Sequence, residues 1–157
     1  GHQSFLYENL TAEENLKFYA RMYRLENIEN LIANTLARVG LAERKSDLVR
    51  TFSRGMQQRL SIGRALLADP TIILLDEPFA GVDPIAVEDI QNIVAKLKNK
   101  NIGVLITDHN VHETLSITDR AYLLFEGAIL KSGTSQELAE DEDVRRVYLG
   151  KNFELRR

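Results

Sequence analysis

The chain has 157 residues, which suits one domain, and its 44% hydrophobic and 27% charged residues are typical of a globular protein. The chain has 20 Lys and Arg against 23 Asp and Glu, which gives a formal charge of −3. This charge excludes a basic nucleic-acid or membrane-surface binder as the leading interpretation. The absence of cysteine excludes a disulfide framework, a thiolate zinc site and a cysteine nucleophile. The apolar runs are of strand length and predict no membrane span, and no charged segment followed by an apolar one predicts a signal peptide at the start.

The first third of the chain is predicted to be helical. A Thr-x-x-Glu capping box at Thr11 opens the first helix, because the hydroxyl and the glutamate each accept an early backbone N–H. A second helix is predicted over residues 28–39, with Gly40 as its left-handed C-terminal stop. A third helix follows Ser53 and is predicted to continue to about residue 68.

From residue 71 the pattern changes to that of an α/β fold. Residues 71–76 and 101–107 are apolar runs of strand length, which predicts two strands buried on both faces. Between them, Asp83-Pro84 is a helix-opening pair, and the helix is predicted to run to about residue 100. A strand, a helix and a strand form a βαβ unit with the two strands parallel.

The C-terminal part is predicted to begin with a short helix at 110–116. A hairpin over 120–131 follows, since Glu126-Gly127 is a tight-turn signal between two apolar runs. A capping box at 134–137 then opens a helical tail that is predicted to reach about residue 148.

Two adjacent carboxylates, Asp76 and Glu77, follow the first predicted strand. Ligands of open parallel sheets bind beyond the carboxyl ends of the strands, so this pair lies where a site is expected. Asp76 can hold Mg²⁺ directly or through water, because a hard cation prefers oxygen ligands, and Glu77 can orient and deprotonate a water. Taken alone, the pair is equally well explained by a buried strand that ends in two solvated acids.

Further positions suit a bound phosphate. Ser53 and Gly55 lie at a predicted helix N-terminus, where N–H groups and the helix dipole favour an anion. His109 follows the second strand, at the same sheet edge as Glu77, and can donate to a phosphate oxygen. The plainer interpretations are a serine N-cap and a surface histidine. Asp83 is expected to cap the next helix, with an interface contact as its second role.

The order and spacing of these motifs are more specific than any one of them. A Ser-x-Gly helix start precedes Leu-Leu-Asp-Glu-Pro, whose Asp stands 21 residues after Gly55; Gly-x-Asp-Pro follows, and a histidine stands 32 residues past Glu77. This pattern resembles the nucleotide-binding subunit of an ATP-binding cassette (ABC) transporter over essentially the whole chain. The resemblance implies a partial α/β fold of the P-loop NTPase (ABC ATPase) type. Residues 1–69 would be its helical subdomain with the signature helix, and residues 70–157 the Walker B part of the core with the C-terminal hairpin and helices.

The resemblance also implies roles, cofactors and partners. By that resemblance ATP is bound by the signature residues Ser53, Gly55 and Gln57 and by Asp83 of the D-loop. Mg²⁺ is bound by Asp76. The catalytic residues are Glu77 and the switch histidine His109. The implied partners are a homodimeric or domain-swapped ATPase subunit and a transmembrane permease, with no nucleic acid and no direct membrane insertion. The implied location is the cytoplasm, at the inner membrane through the permease.

The sequence departs from the family pattern in two places and lacks one motif. The start resembles the Q-loop, with either His2 or Gln3 at the glutamine position, and the signature has Arg54 and Met56 where Gly and Gln are common. No Gly-x-x-x-x-Gly-Lys-Ser/Thr occurs, and so there is no P-loop. We therefore expect a nucleotide-binding domain that lacks about its first third, with one sheet face uncovered, a tendency to self-associate and no ATP hydrolysis by itself.

The two parts of the chain resemble different ABC ATPases. Residues 1–69, with Ser-Arg-Gly-Met-Gln-Gln, resemble the haem-exporter or ABC-2 type. From about residue 71, Asp-Glu-Pro-Phe-Ala-Gly-Val-Asp-Pro and Ile-Thr-Asp-His-Asn-Val resemble the lipopolysaccharide-export type. A recombined or engineered chain and a natural relative of mixed pattern both fit this, and the exported cargo stays open.

Three functions follow from the sequence. The favoured one is the C-terminal portion of an ATP-hydrolysing exporter subunit. The alternative is a catalytically silent folding fragment, truncated or chimeric, or an interaction module. A helicase-like enzyme with a Leu-Asp-Glu-Pro motif is disfavoured by the negative charge and by the missing P-loop.

Overall fold

The computed structural model describes residues 5–149. In chain order, its helices and strands are α1 (Ala12–Met22), α2 (Ile28–Arg38), α3 (Arg54–Leu66), β1 (Ile72–Asp76), α4 (Pro84–Lys98), β2 (Gly103–Thr107), α5 (Val111–Leu115), β3 (Ala121–Phe125), β4 (Ala128–Gly133), α6 (Ser135–Glu140) and α7 (Glu142–Val144). Short 3₁₀ turns at Ala42–Arg44 and Val49–Thr51 join α2 to α3, and a π-helical turn at Arg145–Leu149 follows α7.

The start and end signals of the first helices are confirmed. Thr11 Oγ1 accepts the Glu14 N–H at 3.1 Å, and the Glu14 carboxylate accepts the Thr11 N–H at 2.8 Å. These hydrogen bonds hold the pKa of Glu14 below its usual value. Gly40 has a φ of +68° after α2, as its predicted role as a left-handed stop requires. Helix α3 ends two residues before its predicted end, because the chain turns through Asp69 at a φ of +47° ahead of a proline.

The predicted βαβ unit is confirmed as a parallel pair joined by α4. Strands β1 and β2 are in register from Ile72 opposite Gly103 to Asp76 opposite Thr107. Asp83 Oδ1 accepts the Ala86 N–H at 3.0 Å, so Asp83 is the N-cap of α4. The parallel register brings the carboxyl ends of both strands to one edge.

The prediction that both strands are buried on both faces is wrong. In β1, Ile73 and Leu75 are only 4% and 6% exposed and belong to the main hydrophobic core, together with apolar residues of α3 and α4. Ile72 and Leu74 on the other face are 71% and 65% exposed, and the neighbouring Leu105 of β2 is 59% exposed. Within residues 5–149 one face of the pair is therefore uncovered, as the missing motif led us to expect.

A second, smaller hydrophobic cluster lies in the C-terminal part of the described chain. The predicted hairpin is confirmed: β3 and β4 are antiparallel, and Glu126 and Gly127 have φ values of +49° and +80°, as a type I′ turn requires. The hairpin packs with α5, α6 and α7 around a few fully apolar side chains, namely Leu115, Leu123, Leu138 and Val144.

The predicted helical tail is confirmed to residue 149, and it is divided into α6, α7 and the π-helical turn. The helix breaks at Asp141, which has an extended ψ of 128° and whose side chain accepts the N–H groups of Asp143 and Val144. An aspartate makes such bonds more readily than it continues a helix, so it ends α6 and begins α7.

The main core includes side chains on both sides of residue 69, from Ala12 to Leu97. The division of the chain into residues 1–69 and 70–157 stays a prediction. Among residues 5–149, no helix is both long enough and apolar enough to cross a bilayer.

Candidate active site

The two strand-end carboxylates are fixed by the neighbouring strand. Asp76 is the last residue of β1, and its Oδ1 accepts the hydroxyl proton of Thr107, the last residue of β2. The next residue, Glu77, donates its N–H to the Thr107 carbonyl at 2.7 Å. Glu77 has a φ of +46°, a conformation that few residues other than glycine adopt. The chain thus turns sharply at Glu77, just where β1 ends.

The turn brings Glu77 beside His109. The His109 Nδ1 lies 3.5 Å from Glu77 Oε1, and the two side chains are 74% and 30% exposed. Both groups therefore face the open edge of the sheet. The sequence-based expectation that these residues lie together is met, whereas their roles in hydrolysis stay predictions.

Sequence reasoning gave no role to Asp108, which lies at the centre of this edge. Its side chain is fully buried, with Oδ1 3.8 Å from His109 Nδ1. Asp108 Oδ2 accepts the Phe79 N–H at 3.1 Å, and Oδ1 accepts the Asn110 N–H at 2.7 Å. The bond to Asn110 is a local Asx turn, which the sequence can suggest, but the bond to Phe79 spans 29 residues.

The signature residues form a second group at the start of α3. Ser53 is exposed and caps α3, with its hydroxyl accepting the Met56 N–H at 3.3 Å. Gln57 donates from Nε2 to the Phe52 carbonyl at 3.4 Å. Gly55 is buried against the start of α4. Ser53 is thus a serine N-cap, as its plainer interpretation predicted. The contacts of this group with a nucleotide stay predictions.

Gly55 has a packing role that sequence reasoning missed. A Cβ built there would lie 2.3 Å from Ala86 Cβ and 3.4 Å from Val82 Cγ1. Val82 precedes Asp83, the cap of α4, and Ala86 is the residue whose N–H that cap accepts. The close approach of two helix starts therefore brings the signature next to the predicted D-loop, at residues 80–83.

The carboxylates at the sheet edge suit Mg²⁺ only together with a phosphate. Among residues 5–149 no three His, Asp or Glu side chains are grouped to hold a metal ion. Asp76 is exposed at the strand end, with one oxygen engaged by Thr107. Mg²⁺ in phosphate-transfer sites is held by one or two carboxylates together with phosphate oxygens, and so Asp76 fits an ion that arrives with a nucleotide. The Q-loop candidates His2 and Gln3 lie outside the described residues.

Comparison with known sequences places the chain in a family. The sequence profile described as "ABC transporter" matches residues 1–80. An uncharacterized ABC transporter ATP-binding protein of Rhizobium meliloti is 42% identical over 155 residues, covering 98% of this chain and 57% of that protein. The lipopolysaccharide export system ATP-binding protein LptB of Haemophilus influenzae is 46% identical over 151 residues, covering 96% of this chain and 61% of LptB.

Solved structures agree with this. MJ1267, an ATP-binding cassette of an ABC transporter in its ADP conformation, has a TM-score of 0.76 and 28% identity over 92% of this chain and 64% of its own. CbiO1 of Clostridium perfringens, part of the ABC transporter complex cbiONQ, has a TM-score of 0.79 and 26% identity over 91% of this chain and 58% of its own.

The comparisons and the fold show a nucleotide-binding domain with a partial α/β fold of the P-loop NTPase type. The chain belongs to the ABC transporter family, as an ATP-binding domain. It is similar to LptB, including the Escherichia coli K12 protein, with 50% identity over 111 residues. The chain spans between 46% and 61% of the length of these curated relatives. The H. influenzae alignment covers both parts of the chain, and a recombined chain and a natural relative of mixed pattern stay open.

Proposed function

We propose that this chain supplies the carboxylates for hydrolysis, Asp76 and Glu77, and the signature of an ABC-type export ATPase. The P-loop that holds the phosphates would come from a segment outside this sequence. The observation that carries the proposal is the 3.5 Å approach of His109 to Glu77 at the carboxyl ends of two parallel strands. Homology to ATP-binding subunits that are longer than this chain supports it.

In this proposal the work of the site is positioning and charge stabilisation. Glu77 orients the attacking water and takes its proton, and its carboxylate is held at the sheet edge for that purpose. Because Nδ1 of His109 faces Glu77, Nε2 is the ring nitrogen that remains to face the γ-phosphate, to which it donates when it carries a proton. Asp76 would hold Mg²⁺, which when bound neutralises charge on the phosphate oxygens.

The signature group acts in a dimer in this proposal. Ser53, Gly55 and Gln57, with Asp83 of the D-loop, would contact a nucleotide held by a second ATPase subunit, homodimeric or domain-swapped. The exposed serine hydroxyl and the N-terminus of α3 are suited to an anion. Turnover would drive a transmembrane permease partner, which places the chain at the cytoplasmic side of the inner membrane.

The role of Glu77 is tested in a fusion that restores a P-loop. This chain would follow a segment that carries a Gly-x-x-x-x-Gly-Lys-Ser/Thr motif. Glu77→Gln is expected to lower phosphate release about 10²–10⁴-fold and to keep ATP binding, because a general base typically contributes that much. Glu88→Gln, an exposed position on α4, is the matched control and should keep activity. Full turnover in Glu77→Gln would refute the assignment.

The isolated chain is proposed to be inactive. Without the backbone cradle and lysine of a P-loop, the residues of the site cannot hold a triphosphate. Isothermal titration with Mg-ATP should therefore detect no micromolar binding, and a phosphate-release assay should show no turnover above buffer. Micromolar binding by this polypeptide would contradict the proposal.

A second candidate function is a catalytically silent fragment, truncated or chimeric, that acts as an interaction module. The uncovered apolar face of β1 and β2 favours it, since such patches mark surfaces that bind a partner. The fusion separates the two, because a silent module would stay inactive with a P-loop supplied.

A further inference from the structure

The buried carboxylate of Asp108 links the two loops that carry Glu77 and His109. Its side chain is fully buried, yet both oxygens accept backbone N–H groups, from Phe79 and from Asn110. Burying a carboxylate is costly unless it is hydrogen-bonded, and bonds to a charged acceptor are the stronger kind. Asp108 is therefore satisfied only while the two loops keep their present separation.

Two N–H groups of the turn after β1 bond to the end of β2 and to Asp108. Glu77 is held at a φ of +46°, a strained conformation that persists only when its surroundings impose it. Its own N–H donates to the Thr107 carbonyl. The next residue, Pro78, has no N–H, and so Phe79 provides the next anchor, which Asp108 accepts. These two N–H groups of the turn thus bond to the two residues that precede His109, while the Ala80 N–H closes the turn on the Glu77 carbonyl.

We propose that Asp108 is a positioning residue, which sets the separation of Glu77 and His109 by bonding the Phe79 N–H. This inference rests on the proposed function only for its consequence in hydrolysis, since the bonds that carry it are observed among residues of this chain. Asp108 itself is buried beneath the site and does not contact the substrate.

The test is an NMR measurement on the full chain. Wild-type protein should show slow exchange of the Phe79 amide and an NOE between the Glu77 and His109 side chains. In Asp108→Asn, an NH2 group replaces one carboxylate oxygen and cannot accept a hydrogen bond. The backbone N–H of Phe79 or of Asn110 should therefore exchange about tenfold faster or more. The Glu77–His109 NOE should weaken at least by half. Asp119→Asn, which removes an exposed 2.7 Å pair with Lys98, is the matched control and should change neither signal.

A purely structural role for Asp108 predicts a different result. Asp108→Asn would then lower the melting temperature while the folded fraction kept the wild-type NOE, and that result would overturn the proposal. An unprotected Phe79 amide in wild type would overturn it equally, and this measurement does not require any variant to fold.

The fusion enzyme separates this inference from the proposed function. Asp108→Asn is expected to lower kcat for phosphate release and to leave the KM for ATP within about twofold, because ground-state binding is not changed. A fall in kcat that is matched by an equal rise in the KM for ATP would overturn the positioning role. Retained turnover in Glu77→Gln would instead refute the proposed function and leave the geometric inference standing.

Discussion

At the scale of single residues, Gly55 has no room for a methyl group. We expect Gly55→Ala to lower the free energy of unfolding by about 1–3 kcal/mol, because a Cβ would overlap that of Ala86. Urea denaturation followed by circular dichroism measures the change. The same variant should weaken any signature function, since the overlap pushes the start of α3 away from α4.

A double-mutant cycle provides the control for that prediction. Ala86→Gly alone should cost about 1 kcal/mol as a glycine in a helix, whereas added to Gly55→Ala it should recover part of the loss. Additive losses in the double variant would show that the two methyl groups do not collide.

The sequence predicted the site residues unevenly, for physical reasons. Asp76, Glu77 and His109 follow apolar runs of strand length, and parallel strands bring such positions to one edge. The role of Asp108 was missed because it depends on where the Phe79 N–H arrives in space. Gly55 was assigned to a ligand, although the structure also gives it a packing contact, which sequence spacing does not report.

At the scale of elements, the local signals and the parallel pairing of β1 with β2 were predicted correctly, whereas the covering of the sheet was not. Both capping boxes, the glycine stop and the hairpin turn are short-range patterns, and all are confirmed. The predicted helical tail is divided at Asp141, where the side chain accepts the N–H groups of the next turn. Burial of β1 was overestimated because an apolar run does not reveal whether both faces are covered.

The contact between β4 and Asp141 predicts a pH dependence for the C-terminal unit. The hydrogen bond from Lys131, at 2.7 Å, and then the Val144 N–H hold the pKa of Asp141 below its ordinary 3.8. Asp141 likewise raises the pKa of Lys131 above 10.5. Stability from the pair is therefore present at neutral pH. It is lost as pH falls through the lowered pKa of Asp141, and as pH rises through the raised pKa of Lys131.

Asp141→Asn should reduce that dependence at both ends. Asparagine still caps a helix but carries no charge, so the melting temperature of the variant should change less than that of wild type below about pH 4 and above about pH 10.5. Thermal melts followed by circular dichroism across this range measure the difference. Asp119→Asn serves as the control, and identical pH profiles for wild type and Asp141→Asn would contradict the prediction.

At the scale of the whole molecule, the uncovered sheet face should control association. Ile72, Leu74 and Leu105 expose most of their surface on one side of the parallel pair. We expect the chain to form dimers or larger species at micromolar concentration, and the triple change to threonine to shift it toward monomer. Threonine keeps the strand preference while removing apolar surface. Sedimentation velocity measures the distribution.

A single exposed apolar residue away from this face is the control. Ile85→Thr, at the first turn of α4 and 78% exposed, should leave the distribution unchanged. A wild-type chain that is monomeric at all concentrations, or a triple variant that associates like wild type, would disagree with this prediction.

The separate hydrophobic clusters have a consequence for how this protein opens. The main core and the hairpin core each bury their own side chains, and α5 belongs to the second cluster. Regions of this kind often unfold as independent cooperative units. His109 lies between β2 and α5, and so it stands where the chain passes from the main core to the hairpin core. Transient detachment of the C-terminal unit would draw the imidazole away from its glutamate before the parallel strands separate.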